Sequence, residues 1–176
     1  MSLRQLAIQT RLGKLQLSAN SLGLVSIKWA DESNLMTSGE SGQTAIKWLA
    51  SAARQLTEYL EGKRFEFDVP VDPQGTLFQL QVWRGLQKIP YGETVSYQDI
   101  AIQIGNLRAV RAVGMANHRN PLPLIIPCHR IIRANGHLGG YAGGLERKRA
   151  LLQLEKDALL SSRESKQLAE MRLQGL

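Results

Sequence analysis

A short apolar segment interrupted by prolines constrains this chain more than any other stretch of its sequence. The segment reads Asn120-Pro-Leu-Pro-Leu-Ile-Ile-Pro-Cys-His-Arg-Ile-Ile132, with prolines at positions 121, 123 and 127. Each proline fixes φ and removes a backbone N–H, so the segment is predicted to be stiff, extended and non-helical. Such a segment can hold the thiol of Cys128 at the wall of a pocket.

Cys128 is the single cysteine among the 176 residues. One cysteine leaves no disulfide and no multi-cysteine metal site within these residues. Two interpretations remain, a small buried hydrophobic side chain or a nucleophile. His129 and Arg130 follow directly, and positive neighbours favour the thiolate. The nucleophile interpretation therefore predicts a pKa for Cys128 below its ordinary value of roughly 8.5.

The N-terminal half has the pattern of a sheet followed by a helix. Apolar and polar residues alternate in three short runs within residues 3–30, which predicts an antiparallel meander. Residues 31–42 are polar and rich in glycine and serine, which predicts a loop. Apolar residues then recur at helical spacing over residues 44–60, with Gly62 as the predicted C-terminal cap. Residues 65–69 alternate again, which predicts a further strand.

A turn-rich joint follows at Val71–Gly75. It predicts an N-terminal domain over residues 1–72 and a second domain over residues 76–160. Leu145 to about Leu160 is predicted to be the last helix of the second domain. The tail, residues 161–176, has no predicted role, and a separate short helix is expected there from Ser165 to Leu173.

Two capping-box patterns mark helix starts in the second domain, at Thr76 with Gln79 and at Ser96 with Asp99. A third helix is predicted over about 107–118, with Asn106 as its cap. Two short helices joined across a glycine turn are typical of a helix-turn-helix. The alternative is a pair of packed helices without a binding role.

The formal net charge of +7 is concentrated around the cysteine. Residues 71–155 carry ten basic and five acidic side chains, whereas residues 1–70 carry eight and seven. This distribution favours an anionic partner, although a solvated basic surface would look the same. No apolar run is long enough to span a membrane, and the N-terminus lacks a signal peptide, so a cytoplasmic location is expected.

The ordered motifs Asn120-Pro121, Pro127-Cys-His-Arg130 and Gly140-Tyr-Ala-Gly-Gly144 resemble those of the O6-alkylguanine-DNA alkyltransferases, also called methylated-DNA–protein-cysteine methyltransferases. The resemblance runs from about Phe78 to Glu155. It implies an α+β fold, in which an N-terminal antiparallel sheet with a helix (RNase H-like) precedes a mostly helical domain with a helix-turn-helix. No cofactor is expected, and no metal is expected either, because the zinc site that some relatives have in the N-terminal domain cannot be built from cysteines in this chain.

The resemblance assigns roles to residues around Cys128, which becomes the nucleophile and alkyl acceptor. His129 would act as general base through a water molecule, and Glu155 would orient its imidazole. Tyr97 would donate a proton to guanine N3 as the base leaves. Asn120 would tie the helix-turn-helix to the active-site segment.

The resemblance further implies that the second helix of the helix-turn-helix binds double-stranded DNA through the minor groove. Arg111 would fill the stack after the damaged base rotates out. Further DNA contacts would come from this helix and its surroundings, namely Arg108, Ala112, Gly114, Arg119 and Arg130. The base pocket would be formed by Tyr141, Ala142 and Gly143. Relatives often have serine in place of Ala142, so a side-chain hydroxyl is missing from this pocket.

The implied activity is DNA repair by direct, irreversible transfer of an alkyl group from O6-alkylguanine in duplex DNA to Cys128. Each protein would act once, because water does not hydrolyse the resulting thioether. The expectation extends to O4-alkylthymine. The protein is expected to be monomeric in solution, with clustering on DNA left open.

Three other protein classes share parts of this pattern. Alkyltransferase-like sensors replace the acceptor cysteine, typically by tryptophan, and Cys128 counts against them. A cysteine hydrolase would leave the basic helix-turn-helix unexplained. An adaptive-response regulator adds a zinc-bound cysteine domain, which a single cysteine cannot build.

Overall fold

The computed structural model describes residues 3–30 and 43–173, so the loop predicted for residues 31–42 lies outside the described residues. Within them, an antiparallel sheet opens the fold, in the order β1 (Arg4–Thr10), β2 (Gly13–Ala19) and β3 (Leu24–Ala30). Leu15 of β2 pairs with Ile8 on one side and Trp29 on the other. The predicted meander is therefore confirmed.

Helix α1 (Gln43–Leu60) packs against the sheet through one apolar face. Leu49, Leu56 and Tyr59 on this face are buried, as is Leu17 on β2. The helix ends as predicted, because Gly62 adopts a φ of 74° that few other residues tolerate.

The strand predicted for residues 65–69 is wrong, because these residues pair with no strand in the described part of the chain. The apolar residues of this stretch become more buried from Phe65 to Val69, while Glu66 and Asp68 between them are exposed. Val69 is buried and Phe67 packs on the ring of Tyr59, whereas Phe65 is exposed. A single isolated bridge to β3 follows, between Val71 and Leu24, where Leu24 N donates to Pro70 O at 2.9 Å.

Three helices follow the joint: α2 (Leu77–Leu86), α3 (Tyr97–Gln103) and α4 (Val110–His118). Both predicted capping boxes are present, at Thr76 and at Ser96. The predicted cap at Asn106 is wrong: its side chain makes no capping bond, and a short 3-10 turn, Leu107–Ala109, leads into α4 instead. The indole of Trp83 donates to Ala116 O at 2.9 Å and so ties α2 to α4.

The proline-rich segment runs from α4 to the cysteine without forming a helix, as predicted. It is not extended, however, because Ile126 N donates to Leu122 O at 2.8 Å across a turn in which Leu124 has a φ of 78°. Cys128–Arg130 itself differs from the prediction, because it forms a 3-10 turn. Cys128 N donates to Ile126 O at 2.7 Å around Pro127, whose φ of −79° and ψ of 63° are those of an inverse γ-turn. The chain then continues into β5 (Ile131–Ile132), which pairs in parallel with β4 (Val95–Ser96).

Helix α5 (Leu145–Leu173) is continuous, so the separate helix predicted from Ser165 is wrong. Residues 161–164 contain no glycine or proline to interrupt it. Leu151, Leu154 and Glu155 of α5 are buried, and most side chains beyond Leu160 are exposed. Among the described residues, no helix is both long and apolar enough to cross a membrane.

Candidate active site

Cys128 lies beside a cavity of about 270 Å³ between the N-terminal sheet and the C-terminal helices. Its side chain is almost fully buried, with 4% of the residue exposed. The cavity is lined by residues of β3, of α4, of the proline-rich segment and of the glycine-rich loop before α5: Ile27, Lys28, Trp29, Asn117, His118, Asn120, Pro123, Cys128, Tyr141, Ala142 and Gly143.

Asn120 connects the end of α4 to the turn that carries the thiol. Its Nδ2 donates to Ile126 O at 2.7 Å, and its Oδ1 accepts from Leu122 N at 3.0 Å. The same side chain hydrogen-bonds the Cys128 sulfur. The bonds bridge α4 and the cysteine turn, which is the geometry that the predicted tie requires.

Burial raises the pKa of Cys128 to about 11, against opposing effects of the Asn120 hydrogen bond and the Lys148 charge. The prediction of a lowered pKa is therefore wrong for the resting protein. Neither positive neighbour acts as expected, because burial lowers the pKa of His129 and Arg130 is paired elsewhere. The thiol is protonated at neutral pH in this state.

Three fully buried side chains meet next to the thiol turn: His129, Glu155 of α5 and Tyr59 of α1. His129 Nε2 lies 2.9 Å from Glu155 Oε1 and 3.2 Å from the Tyr59 hydroxyl. Tyr59 donates to the same Glu155 oxygen at 2.5 Å. The predicted contact between Glu155 and His129 is thus present, together with a third partner from the N-terminal half.

Arg130, predicted to contact DNA, is buried and belongs to this cluster instead. Its Nε and Nη2 donate to Glu155 Oε1 at 3.0 and 2.8 Å, and its Nη1 donates to Ile89 O at 2.7 Å. The guanidinium also lies 5.4 Å from the ring centroid of Tyr91. With 6% of the residue exposed, Arg130 cannot reach a phosphate, and the prediction is wrong.

Glu155 remains ionised in this cluster. Burial alone would raise its pKa, but hydrogen bonds from His129 and Arg130, together with the charge of Arg130, outweigh burial and lower the pKa to about 2. Gly92 N adds a hydrogen bond to the other carboxylate oxygen at 2.8 Å. His129 is neutral, because burial lowers its pKa more than the attraction of Glu155 raises it.

Tyr97 stands between α4 and the glycine-rich loop. A Cβ on Gly114 would lie 3.8 Å from its ring, and a Cβ on Gly139 would lie 3.2 Å from its hydroxyl. Burial raises the pKa of Tyr97, with Cys128 contributing in the same direction. The phenol is therefore protonated at neutral pH. Gly114, predicted to bind DNA, faces this ring at ordinary van der Waals distance.

Tyr141, Ala142 and Gly143, the residues predicted to form a base pocket, line the cavity together with Trp29 of the N-terminal sheet. A Cβ on Gly143 would lie 2.5 Å from Trp29 Nε1 and 2.6 Å from the ring of Tyr141, so only glycine fits. Ala142 is exposed at the mouth of the cavity. Arg147 of α5 holds the indole from the other side, with its guanidinium 4.7 Å from the ring centroid.

Lys148 anchors the glycine-rich loop from inside. It is fully buried, and its ammonium group donates to the carbonyl oxygens of Ile131 and Leu138. Burial lowers the pKa of Lys148 to about 8, and the nearby Cys128 acts in the opposite direction. Lys148 thus joins β5 to the loop that carries Tyr141.

The other predicted DNA contacts lie on an exposed basic surface at α4. Arg111 and Ala112 on the helix, Arg108 in the turn before it and Arg119 directly after it are all exposed. No acidic residue occurs between Asp99 and Glu146, so this surface has no opposing charge of its own. An exposed surface of this composition suits a polyanion.

The interpretation of the sequence missed Tyr59, Trp29 and Lys148. Tyr59 and Trp29 belong to the apolar patterns of α1 and β3, which marked them only as core residues. Lys148 lies in the charged run of residues 146–149, a composition that by itself predicts a solvated face. The sequence contains one signal for Lys148. The charged run begins two residues after the glycine-rich motif, so a lysine in it can turn back towards the backbone of that loop.

Both halves of the chain match known families. Residues 3–73 match the model of the 6-O-methylguanine DNA methyltransferase, ribonuclease-like domain, and residues 77–157 match that of the 6-O-methylguanine DNA methyltransferase, DNA binding domain. A methylated-DNA–protein-cysteine methyltransferase of Methanosarcina barkeri is 44% identical over 152 residues, which cover 86% of this chain and 96% of that protein.

Solved structures agree with these matches. The crystal structure of Mycobacterium tuberculosis O6-methylguanine methyltransferase has a TM-score of 0.76 and 42% identity, over 89% of this chain and 94% of that one. M. tuberculosis OGT in complex with DNA gives a TM-score of 0.76 at 44% identity, over 86% and 92%. The chain therefore belongs to the 6-O-methylguanine DNA methyltransferase family, DNA-binding repair enzymes that transfer a methyl group from DNA to a protein cysteine.

Proposed function

We propose that this protein repairs duplex DNA by transferring the alkyl group of O6-alkylguanine, and of O4-alkylthymine, irreversibly to Cys128. The observation that carries the proposal is the position of the single thiol. It lies beside a cavity of about 270 Å³, next to a buried histidine–glutamate pair. A thioether is stable in water, so each molecule acts once.

The protonation states of the resting site fit this reaction. Cys128 holds its proton because burial raises its pKa to about 11, and the neutral His129 can accept that proton through a water molecule. The sulfur then bonds to the alkyl carbon while the bond from that carbon to O6 breaks. The released guanine takes a proton at N3 from Tyr97. Tyr97 then recovers a proton from protonated His129.

Glu155 orients His129 in this mechanism. Asn120 fixes the position of the thiol relative to α4. Tyr141, Gly143 and the backbone at Ala142 would surround the extruded base. Because the alkylated O6 lies inside the stack, the base must leave the duplex to reach the thiol. The exposed basic surface at α4 supports binding of α4 in the minor groove. Arg111 would fill the space that the extruded base leaves in the stack.

The intact mass of the protein after mixing with O6-methylguanine duplex tests the transfer. We expect one added methyl group, no further gain with excess substrate, and no gain in Cys128→Ser, which should still bind DNA. Repeated turnover by an unmodified protein would refute the acceptor mechanism and favour a hydrolase.

Arg111→Ala tests base extrusion. The substitution should slow repair of duplex more than reaction with free O6-benzylguanine, since a free base needs no extrusion. Arg54→Ala is the matched control, because it removes the same charge from the exposed side of α1. Equal losses on both substrates would mean that Arg111 acts on the fold.

The proposal also covers organisation and location. Residues 1–72 would form the N-terminal domain and residues 76–160 the DNA-binding, alkyl-accepting domain, with residues 161–176 as a tail. The protein would be monomeric in solution, with any clustering confined to DNA. A cytoplasmic location would keep the free thiol reduced.

A further inference from the structure

Tyr59 reaches the proton-handling groups from the N-terminal half of the chain. It lies on α1, 70 residues before His129 and 96 before Glu155, yet all three side chains are fully buried together. The three polar groups form a closed triangle, with separations of 2.5, 2.9 and 3.2 Å.

The hydrogen atoms of this triangle can be assigned. Glu155 is ionised, with a pKa of about 2, and therefore only accepts hydrogen bonds. Burial keeps the pKa of Tyr59 well above its ordinary value, so its one hydrogen stays in place and points to Glu155 at 2.5 Å. Both oxygens then face His129 Nε2 with lone pairs. His129 must carry its hydrogen on Nε2.

The assignment leaves Nδ1 of His129 as the basic nitrogen. Nδ1 is buried and has no hydrogen-bond partner among the described residues. It is therefore the ring atom that is available to take a proton from the neighbouring thiol. How readily it does so depends on how strongly Glu155 attracts the hydrogen on Nε2.

We propose that Tyr59 is a positioning residue of the alkyl transfer, whose hydroxyl takes up part of the Glu155 charge and so sets how strongly Glu155 holds His129. The inference rests on the proposed function, in which His129 accepts the proton of Cys128. Removing the hydroxyl leaves more of the carboxylate charge for the imidazole. Protonated His129 then becomes more stable.

The direction follows from the distances. Tyr59 also presents its oxygen to Nε2, which would favour protonated His129, but that contact is 3.2 Å long against 2.5 Å for the bond to Glu155. The shorter, charge-assisted bond dominates. The other charges that face His129 are those of Arg130 beside it and Lys148 of α5, and both oppose its protonation. Removing the Tyr59 hydroxyl changes neither.

Tyr59→Phe removes the hydroxyl and keeps the ring. Tyr91→Phe is the matched control, since Tyr91 packs its ring against Tyr59 at 5.8 Å and its hydroxyl bonds to no described residue. Imidazole ¹H–¹⁵N spectra give the tautomer and titration midpoint of His129. The exposed His118 and His137 serve as internal references.

We expect the wild-type spectrum to show His129 with its hydrogen on Nε2. Tyr59→Phe should raise the His129 midpoint by about one pH unit, and Tyr91→Phe should leave it in place. The rising limb of the pH profile of Cys128 methylation, followed by mass, should move upward with it. Reduced packing alone would lower the melting temperature and leave both midpoints unchanged.

Two results would overturn the inference: a wild-type His129 with its hydrogen on Nδ1, or a midpoint in Tyr59→Phe that stays or falls. The tautomer measurement needs no variant, so a hydrogen found on Nδ1 would refute the inference even if Tyr59→Phe does not fold. Failure of the wild type to become methylated would refute the proposed function, and the spectra would still report on Tyr59.

Discussion

Replacing Glu155 by glutamine removes the central charge of the buried cluster and keeps the side-chain shape. The carboxylate accepts from His129, Tyr59 and Arg130 on one oxygen and from Gly92 N and Arg130 on the other. An amide has one acceptor oxygen and one donor nitrogen, so either orientation points a donor at donors. Arg130 is left buried without a counter-charge.

The magnitude follows from that unpaired charge. Breaking a buried ion pair by removing one partner costs about 3–5 kcal/mol. For a chain of this length each kcal/mol lowers the melting temperature by roughly 2–4 °C. Glu155→Gln should therefore melt about 6–20 °C below the wild type at neutral pH.

The stability that Glu155→Gln loses should also depend on pH. Glu155 has a pKa of about 2 in the fold against 4.5 as its ordinary value. A lowered pKa adds stability that is fully present above the ordinary value and disappears as the pH falls towards the lowered one. This amounts to about 3 kcal/mol. The gap between wild type and Glu155→Gln should accordingly narrow between pH 5 and pH 2.

Calorimetric melts from pH 2 to pH 7 measure both effects. Glu146→Gln on the same helix is the control, because its ion pair with Arg149 is exposed and should matter little. Adding Arg130→Met to Glu155→Gln should restore part of the loss by removing the stranded charge. A difference in melting temperature below about 3 °C at neutral pH would refute the reasoning, since it corresponds to much less than the free-energy cost of breaking a buried ion pair.

Further predictions concern the thiol and its pocket. Iodoacetamide should modify folded Cys128 with a midpoint near pH 11, whereas the denatured chain should react with the ordinary midpoint of roughly 8.5; equal midpoints would contradict the effect of burial. Methylation of Cys128 should lower the melting temperature by about 2–12 °C, and hydrogen exchange should rise first near Asn120; identical melts would mean that the cavity absorbs the alkyl group. Gly143→Ala should cost about 1–3 kcal/mol in melts by displacing Trp29, whereas Gly140→Ala, with no atom within 4 Å of the added carbon, should cost little.

Local signals in the sequence predicted most of the helices and strands. The capping boxes at Thr76 and Ser96 depend on residues three apart, so the sequence contains the whole interaction. The meander and the end of α1 at Gly62 are equally local. The failed strand at residues 65–69 shows the limit, because its alternation came from packing against α1 and not from pairing.

In the candidate site, too, neighbours in sequence could be predicted and distant partners could not. Cys128 and His129 are adjacent and could be identified together, whereas the partners of His129 lie 26 and 70 residues away. Only the folded chain brings Tyr59 to that histidine. The sequence also could not predict the partner of Arg130. An arginine two residues after a cysteine can bind a phosphate or a buried carboxylate, and only the fold shows that it binds Glu155.

A site assembled from both sides of one joint makes the chain a candidate for a split reporter. A break after Gln74 would leave Trp29 and Tyr59 on one fragment and the acceptor thiol on the other. Neither fragment would contain a complete pocket. Transfer of a methyl group from DNA to the thiol would then report that two fused proteins have brought the fragments together.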